Sequence, residues 1–220
     1  MESSFLLVFP LLLALSTPGT ACKCKLLHPQ TYYCASDIVI LANIARPAKN
    51  IGNWRGFKIQ LIRIFKAPPH IIPFDVIYTP LDYNSCGYLV KTSYQTQLLI
   101  AGYLAGGKMT FNRCHMVHHW LRLSSQQRLG FQGGYNSGCN CNIERCTFCW
   151  RDCPEPSSTD CVWKQDNCKY DSWTGTHSMY SLCVRSGSNQ CNWDRQALWF
   201  HFTTVPATTP TTPTPPSTST

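Results

Sequence analysis

The sequence predicts a mainly β protein, with a small sandwich or barrel in its first half and a compact disulfide-held unit after it. Two observations carry this expectation. Between residues 37 and 114, short runs rich in β-branched and aromatic residues alternate with turn signals. From Cys139 to Cys191 the composition changes, and nine of the chain's 14 cysteines fall among many Trp, Asn, Asp and Ser residues. A segment so poor in apolar surface depends on its crosslinks.

The elements follow in chain order. Residues 5–15, "FLLVFPLLLAL", are apolar but too short to span a membrane, and Pro10 interrupts them. With Gly19 and Ala21 at the −3 and −1 positions of a cleavage site, residues 1–21 read as a secretory signal peptide. The mature chain then starts at Cys22 and runs for 199 residues, outside the cell and without a membrane span. "DIVILANIA" (37–45) is nearly continuous and β-branched, as in a strand buried on both faces. "FKIQLIRIFK" (57–66) alternates, with Phe57, Ile59 and Leu61 against Lys58 and Gln60. "FDVIYT" (74–79), "GYLV" (87–90) and "QLLIAGYL" (97–104) are further strand candidates. Gly106-Gly107 marks a turn before "KMTFNRC" (108–114). In "LSSQQRLGF" (123–131), Ser124 and Gln127 have capping-box spacing, which predicts a short helix that ends near Gly133-Gly134. A domain boundary is expected near residues 136–139. The Thr/Pro tract beyond residue 203 has no core-forming residues and reads as an extended, O-glycosylated tail.

All 14 cysteines follow the predicted cut. An even number in an oxidising compartment predicts disulfides rather than zinc, although Cys146-x-x-Cys149 beside Cys139-x-Cys141 has ligand spacing. Loss of Glu2 with the leader leaves 19 basic and 10 acidic side chains, a balance suited to acidic partners such as sulfated glycans. No Gly-x-Ser-x-Gly elbow or phosphate loop is present, and disulfides consume the thiols, so the chain does not read as an enzyme. His118-His119 lacks a helical His-Glu-x-x-His context and reads as a half-buried strand end.

The stretch "TACKCKLLHPQTYYC" (20–34) carries the functional signal. In an extended chain, side chains two apart share a face. Cys22 and Cys24 can both anchor inward while Lys23 projects outward, giving a rigid N-terminal ridge. Rigidity removes the ordering cost of binding. A neutral α-amine and the carbonyl of the same residue form a five-membered chelate. Such a pair can fill the open position of a catalytic zinc in another protein.

These residues resemble the tissue inhibitors of metalloproteinases. The likeness rests on "C-K-C…HPQ…CASDIVI" (22–40), "VIYTPLDYNSCGY" (76–88), "LLIAGYL" (98–104), "LSSQQRLGF", "SGCNC" (137–141), "CVW" (161–163) and "LCVRSGSNQCNW" (182–193). It implies a netrin-like OB-fold barrel of five strands with short helices over 22–139, a disulfide-rich domain over 140–202, and a tail over 203–220. It implies a secreted protein that inhibits metalloproteinases of the matrix type as a monomer. Cys22 chelates the target's zinc, and the chain has no cofactor of its own and no nucleic-acid partner. The family's pairing scheme implies Cys22–Cys86, Cys24–Cys114, Cys34–Cys139, Cys141–Cys191 and Cys161–Cys183. Tyr83, Asn84, Ser85 and Cys86 then share a protease-contact surface with Cys22, Lys23, Cys24 and Lys25. Cys146 is expected to close a small loop with Cys149 or Cys153, and the one left over to pair with Cys168. The chain departs from the family at Lys23, where a small Thr or Ser enters the protease's first primed pocket. Weak inhibition, a target that accepts a basic side chain, and loss of inhibition all stay open. The alternative is a non-inhibitory netrin-like module that binds matrix glycans or a cell-surface partner.

Overall fold

The computed structural model describes residues 22–89, 96–146, 153, 155–164, 173 and 175–195. The expected signal peptide, the Thr/Pro tract, Val90, Cys149 and Cys168 lie outside the described residues. The first half is built from strands β1 (Ile38–Ile51), β2 (Trp54–Lys66), β3 (Val76–Pro80), β4 (Gln97–Ala105), β5 (Lys108–Thr110) and β6 (Val117–His119). Pairing runs β1-β2-β3-β5-β4, and β4 returns to β1, so five strands close a ring; β6 adds to the outer edge of β4. Closure of the ring is the property of a barrel, and the second half of β1 projects beyond it.

The continuous apolar runs have a direct explanation in this arrangement. Ile38, Ile40 and Ala42 of β1 and Leu98 and Ile100 of β4 face the barrel interior with Phe57, Ile77 and Met109. The alternate residues Val39, Leu41, Leu99 and Ala101 face outward into a second cluster with Tyr33, Phe131 and Tyr135. Both faces of β1 and β4 are therefore covered, and neither strand alternates in polarity.

β1 and β2 are longer than the predicted runs. Beyond Asn43, β1 leaves β4 and pairs with β2 alone up to a turn at Gly52, whose φ is +53°, while Trp54–Lys58 of β2 pair on their other side with β3. Pro47 is tolerated there because its missing N–H faces no third strand. Two other expectations are corrected. Residues 87–89 of "GYLV" form no strand, because Gly87 N–H donates to the Asp82 carbonyl and Tyr88 N–H to Thr79 Oγ1. "KMTFNRC" keeps only three strand residues, since Asn112 and His115 bond each other and close a turn that contains Cys114.

Helix α1 (Pro29–Ala35) was not evident from periodicity. Its signal is local: His28 Nδ1 accepts the Gln30 N–H as an N-cap, and Pro29 occupies the first turn. Helix α2 (Ser125–Phe131) starts at the expected capping box, with Ser124 and Gln127 bonded reciprocally. The second half contains the parallel pair β7 (Asn142–Arg145) and β8 (Asp160–Trp163), helix α3 (Thr176–Tyr180), and the antiparallel pair β9 (Leu182–Arg185) and β10 (Cys191–Asp194). Its centre is sulfur: Cys141, Cys161, Cys183 and Cys191 are buried together, with Ile143 and Trp193 packed against them.

Buried hydrogen bonds tie the halves. The Gln30 side chain donates to the carbonyls of Gly138 and Cys183 and accepts the Cys183 N–H, so it acts as a rung on β9. A Cβ at Gly138 would lie 2.2 Å from the Cys183 carbonyl oxygen, a backbone atom, which fixes glycine there. Gln127 donates to the Ser178 carbonyl and Ser124 to that of Met179. His28, buried among Trp163 and Trp193, donates Nε2–H to the His177 carbonyl.

Burial pushes the His28 imidazole from 6.5 down to about 3, more than the bond to the His177 carbonyl restores. An unfolded chain takes up this proton near pH 6.5 and the folded chain only near 3, so the His28 contribution is complete above about 6.5 and falls with acid between the two values. Acidification from about pH 7 to about pH 4.5 is expected to lower the melting temperature of the native chain more than that of His28→Asn, which keeps an N-cap without a titrating ring. Calorimetry with the disulfides intact measures the difference.

Candidate functional site

Residues 22–28 run without regular structure to the start of α1, so side-chain bonds must hold them. Cys22 is bonded to Cys86 and Cys24 to Cys114, with Cα–Cα distances of 5.3 and 4.9 Å. The two bridges lie against each other: Cys22 Sγ is 3.7 Å from Cys24 Sγ and 3.6 Å from Cys114 Sγ. These are contacts between oxidised sulfurs, which carry no proton to share. One bridge would leave the segment free to swivel. Two, on alternate residues and anchored at separate points of the barrel, fix its direction. Lys23, between them, is exposed, as is Lys25.

The loop that receives Cys22 is itself held tightly. Leu81 N–H donates to the Asn53 carbonyl and Arg55 to the Leu81 carbonyl, which ties the loop to the β1–β2 ribbon. Cys86 sits at φ +64°, its N–H donating to the Tyr83 carbonyl. A Cβ on Gly87 would stand 2.3 Å from the Pro80 carbonyl oxygen and 2.7 Å from that of Asp82, so only glycine closes this turn. Tyr83, Asn84 and Ser85 are exposed on the outer side of the loop. The structure thus gathers Cys22, Lys23, Cys24, Lys25, Tyr83, Asn84, Ser85 and Cys86 on one edge of the barrel.

Arg113 was not legible as part of this edge. Its backbone N–H donates to the Cys86 carbonyl, and its guanidinium lies 3.9 Å from the centroid of the Tyr83 ring. Adjacency to Cys114 was its sole sequence signal. Stacking of this kind holds Tyr83 in place and adds a cation to the edge.

Among the described residues, the close groups with metal-binding side chains are Cys22, Cys24, Cys86 and Cys114, and Cys141, Cys183 and Cys191. All are spent in disulfides. Cys34 joins Cys139, Cys141 joins Cys191, Cys161 joins Cys183, and Cys146 joins Cys153 rather than Cys149. His118 and His119 diverge: His119 is exposed, while His118 packs edge-on against Trp173 with its pKa lowered, chiefly by burial.

Residues 20–193 match the family described as tissue inhibitor of metalloproteinase. The chain belongs to that family. It is 31% identical to metalloproteinase inhibitor 2 of Canis lupus familiaris over 201 residues, 85% of this chain and 87% of the relative. It is also 31% identical to the protein of that name from Gallus gallus, covering 84% of this chain and 86% of the relative, and 30% identical to that of Homo sapiens, covering 85% and 87%. The family is one of inhibitors, not enzymes. Among the described residues, no helix is long and apolar enough to cross a membrane. The many disulfides fit an oxidising compartment.

Gly87→Ala is expected to destabilise the folded protein by about 1–3 kcal/mol, because the carbonyls it meets are backbone and cannot rotate away. Thermal unfolding measures the loss.

Proposed function

We propose that the chain is a secreted inhibitor of zinc metalloproteinases that acts through its mature N-terminus. After cleavage before Cys22, the α-amine and carbonyl of that residue bind the target's catalytic zinc and displace its water. Residues 23–25 and 83–86 line the enzyme's cleft on either side. The zinc belongs to the target, and the inhibitor contributes ligand atoms and shape.

The observation that carries this reading is the pair of adjacent disulfides on alternate residues of a terminal segment. A crosslink that served only to stabilise the barrel would have no need to lie at the chain's predicted mature end. Two of them fix the orientation of the end itself, which lowers the entropy lost on docking. Chelation also needs an unprotonated amine. A free α-amine has a pKa of about 7.7–8.0, so a metal ion competes with a single proton near neutral pH. The relatives' name, metalloproteinase inhibitor 2, supports the same class of target.

A protein carrying one additional alanine before Cys22 has its amine locked into a peptide bond while every side chain remains. The expected result is loss of inhibition by at least about a hundredfold, roughly 2.7 kcal/mol, with the melting temperature unchanged. Titration of a matrix-type metalloproteinase with both forms, each checked by mass analysis for its first residue, makes the comparison. An extended form that inhibits as well as the mature one would favour surface binding over chelation.

A further inference from the structure

Beyond the class of target, the charge of the edge points to its character. Asp82 is the sole carboxylate within residues 22–25 and 81–88, against Lys23, Lys25 and the stacked Arg113. None of these three cations forms an ion pair among the described residues. Arg113 also has one buried guanidinium nitrogen, Nη1, without an acceptor. Glu144, which shares a groove with Lys25, is exposed and does not pair with it. A cationic surface with so little internal neutralisation is arranged for a partner that supplies the acids.

Direction of approach sharpens this. A substrate places its scissile carbonyl on the metal of a zinc protease, and the side chain of the next residue enters the first primed pocket. A chain offering the carbonyl of Cys22 in the same sense sends Lys23 into that pocket. An ammonium desolvated in an apolar pocket costs several kcal/mol, whereas one facing a carboxylate is compensated. We infer that the cognate target is a zinc endoproteinase whose first primed pocket carries a carboxylate, one that cleaves on the N-terminal side of Lys or Arg, with acidic residues on the rim near Lys25 and Arg113. This inference rests on the chelation reading proposed above.

The test uses the full mature protein and its Lys23→Thr variant. Both are titrated against two zinc endoproteinases, one cleaving before leucine and one cleaving before lysine. Lys23 is exposed, so the substitution leaves the fold intact. The native chain is expected to bind the second enzyme at least about tenfold more tightly than the first, and Lys23→Thr to reverse that preference. The association rate of the native chain with the second enzyme should also fall as salt rises. A native chain that prefers the leucine-directed enzyme, or a variant with unchanged preference, overturns the inference while chelation stands. If neither protein inhibits either enzyme, the chelation reading falls and the inference with it.

Discussion

The two sulfur bridges at residues 22 and 24 are the constraint on which the rest depends. Each of their outer ends needs a fixed receiver. Cys86 sits in a turn that only glycine at position 87 can close, and Cys114 sits in a turn held by Asn112 and His115. Those turns stay put because β3 and β5, which lead into them, belong to a closed ring of strands. The barrel therefore serves as a base plate. Its continuous apolar strands, covered on both faces, stiffen the base against which a seven-residue irregular segment is held.

How much of this could be read in the sequence follows from where the information lies. β1 and β4 were legible because burial on two faces leaves an uninterrupted apolar run, and α2 because its cap is written in two residues. Helix α1 escaped because seven residues including two tyrosines have no helical periodicity, and its start depends on a histidine acting as cap. "GYLV" has the composition of a strand, but the backbone donors that a neighbour would need are already committed to Asp82 and Thr79. The edge itself was legible in its cysteines, since a Cys-x-Cys behind a cleavage signal is a local pattern. Arg113 was not, because stacking on Tyr83 joins residues thirty positions apart and leaves no mark in either neighbourhood.

Sulfur does different work in the two halves. In the first, the bridges to Cys86 and Cys114 lie at the surface and orient the segment that begins at Cys22. In the second, Cys141–Cys191 and Cys161–Cys183 are themselves the buried core, with little apolar surface around them. Reduction would thus be felt differently in each, because the barrel retains an interior cluster of its own, and a second that it shares with Leu182, while the second unit loses its centre.

The second unit nonetheless bears on the edge. The segment that leaves the ridge at Lys25 is committed to the other half within three residues: the Leu27 carbonyl accepts the Trp173 indole N–H, and His28 donates to the His177 carbonyl. Tyr32 reaches back from α1 to the Leu27 N–H. The ridge is therefore anchored at both ends, by sulfur on the barrel side and by hydrogen bonds on the side of the second unit. A His28 that gained a proton would lose its role as acceptor for the Gln30 N–H, since both ring nitrogens would then carry hydrogen. The cap, the rung made by Gln30 and the exit of the ridge would loosen together. Burial keeps that imidazole neutral near neutral pH, so the direction of the segment 22–25 is set by the packing between the halves as well as by its disulfides.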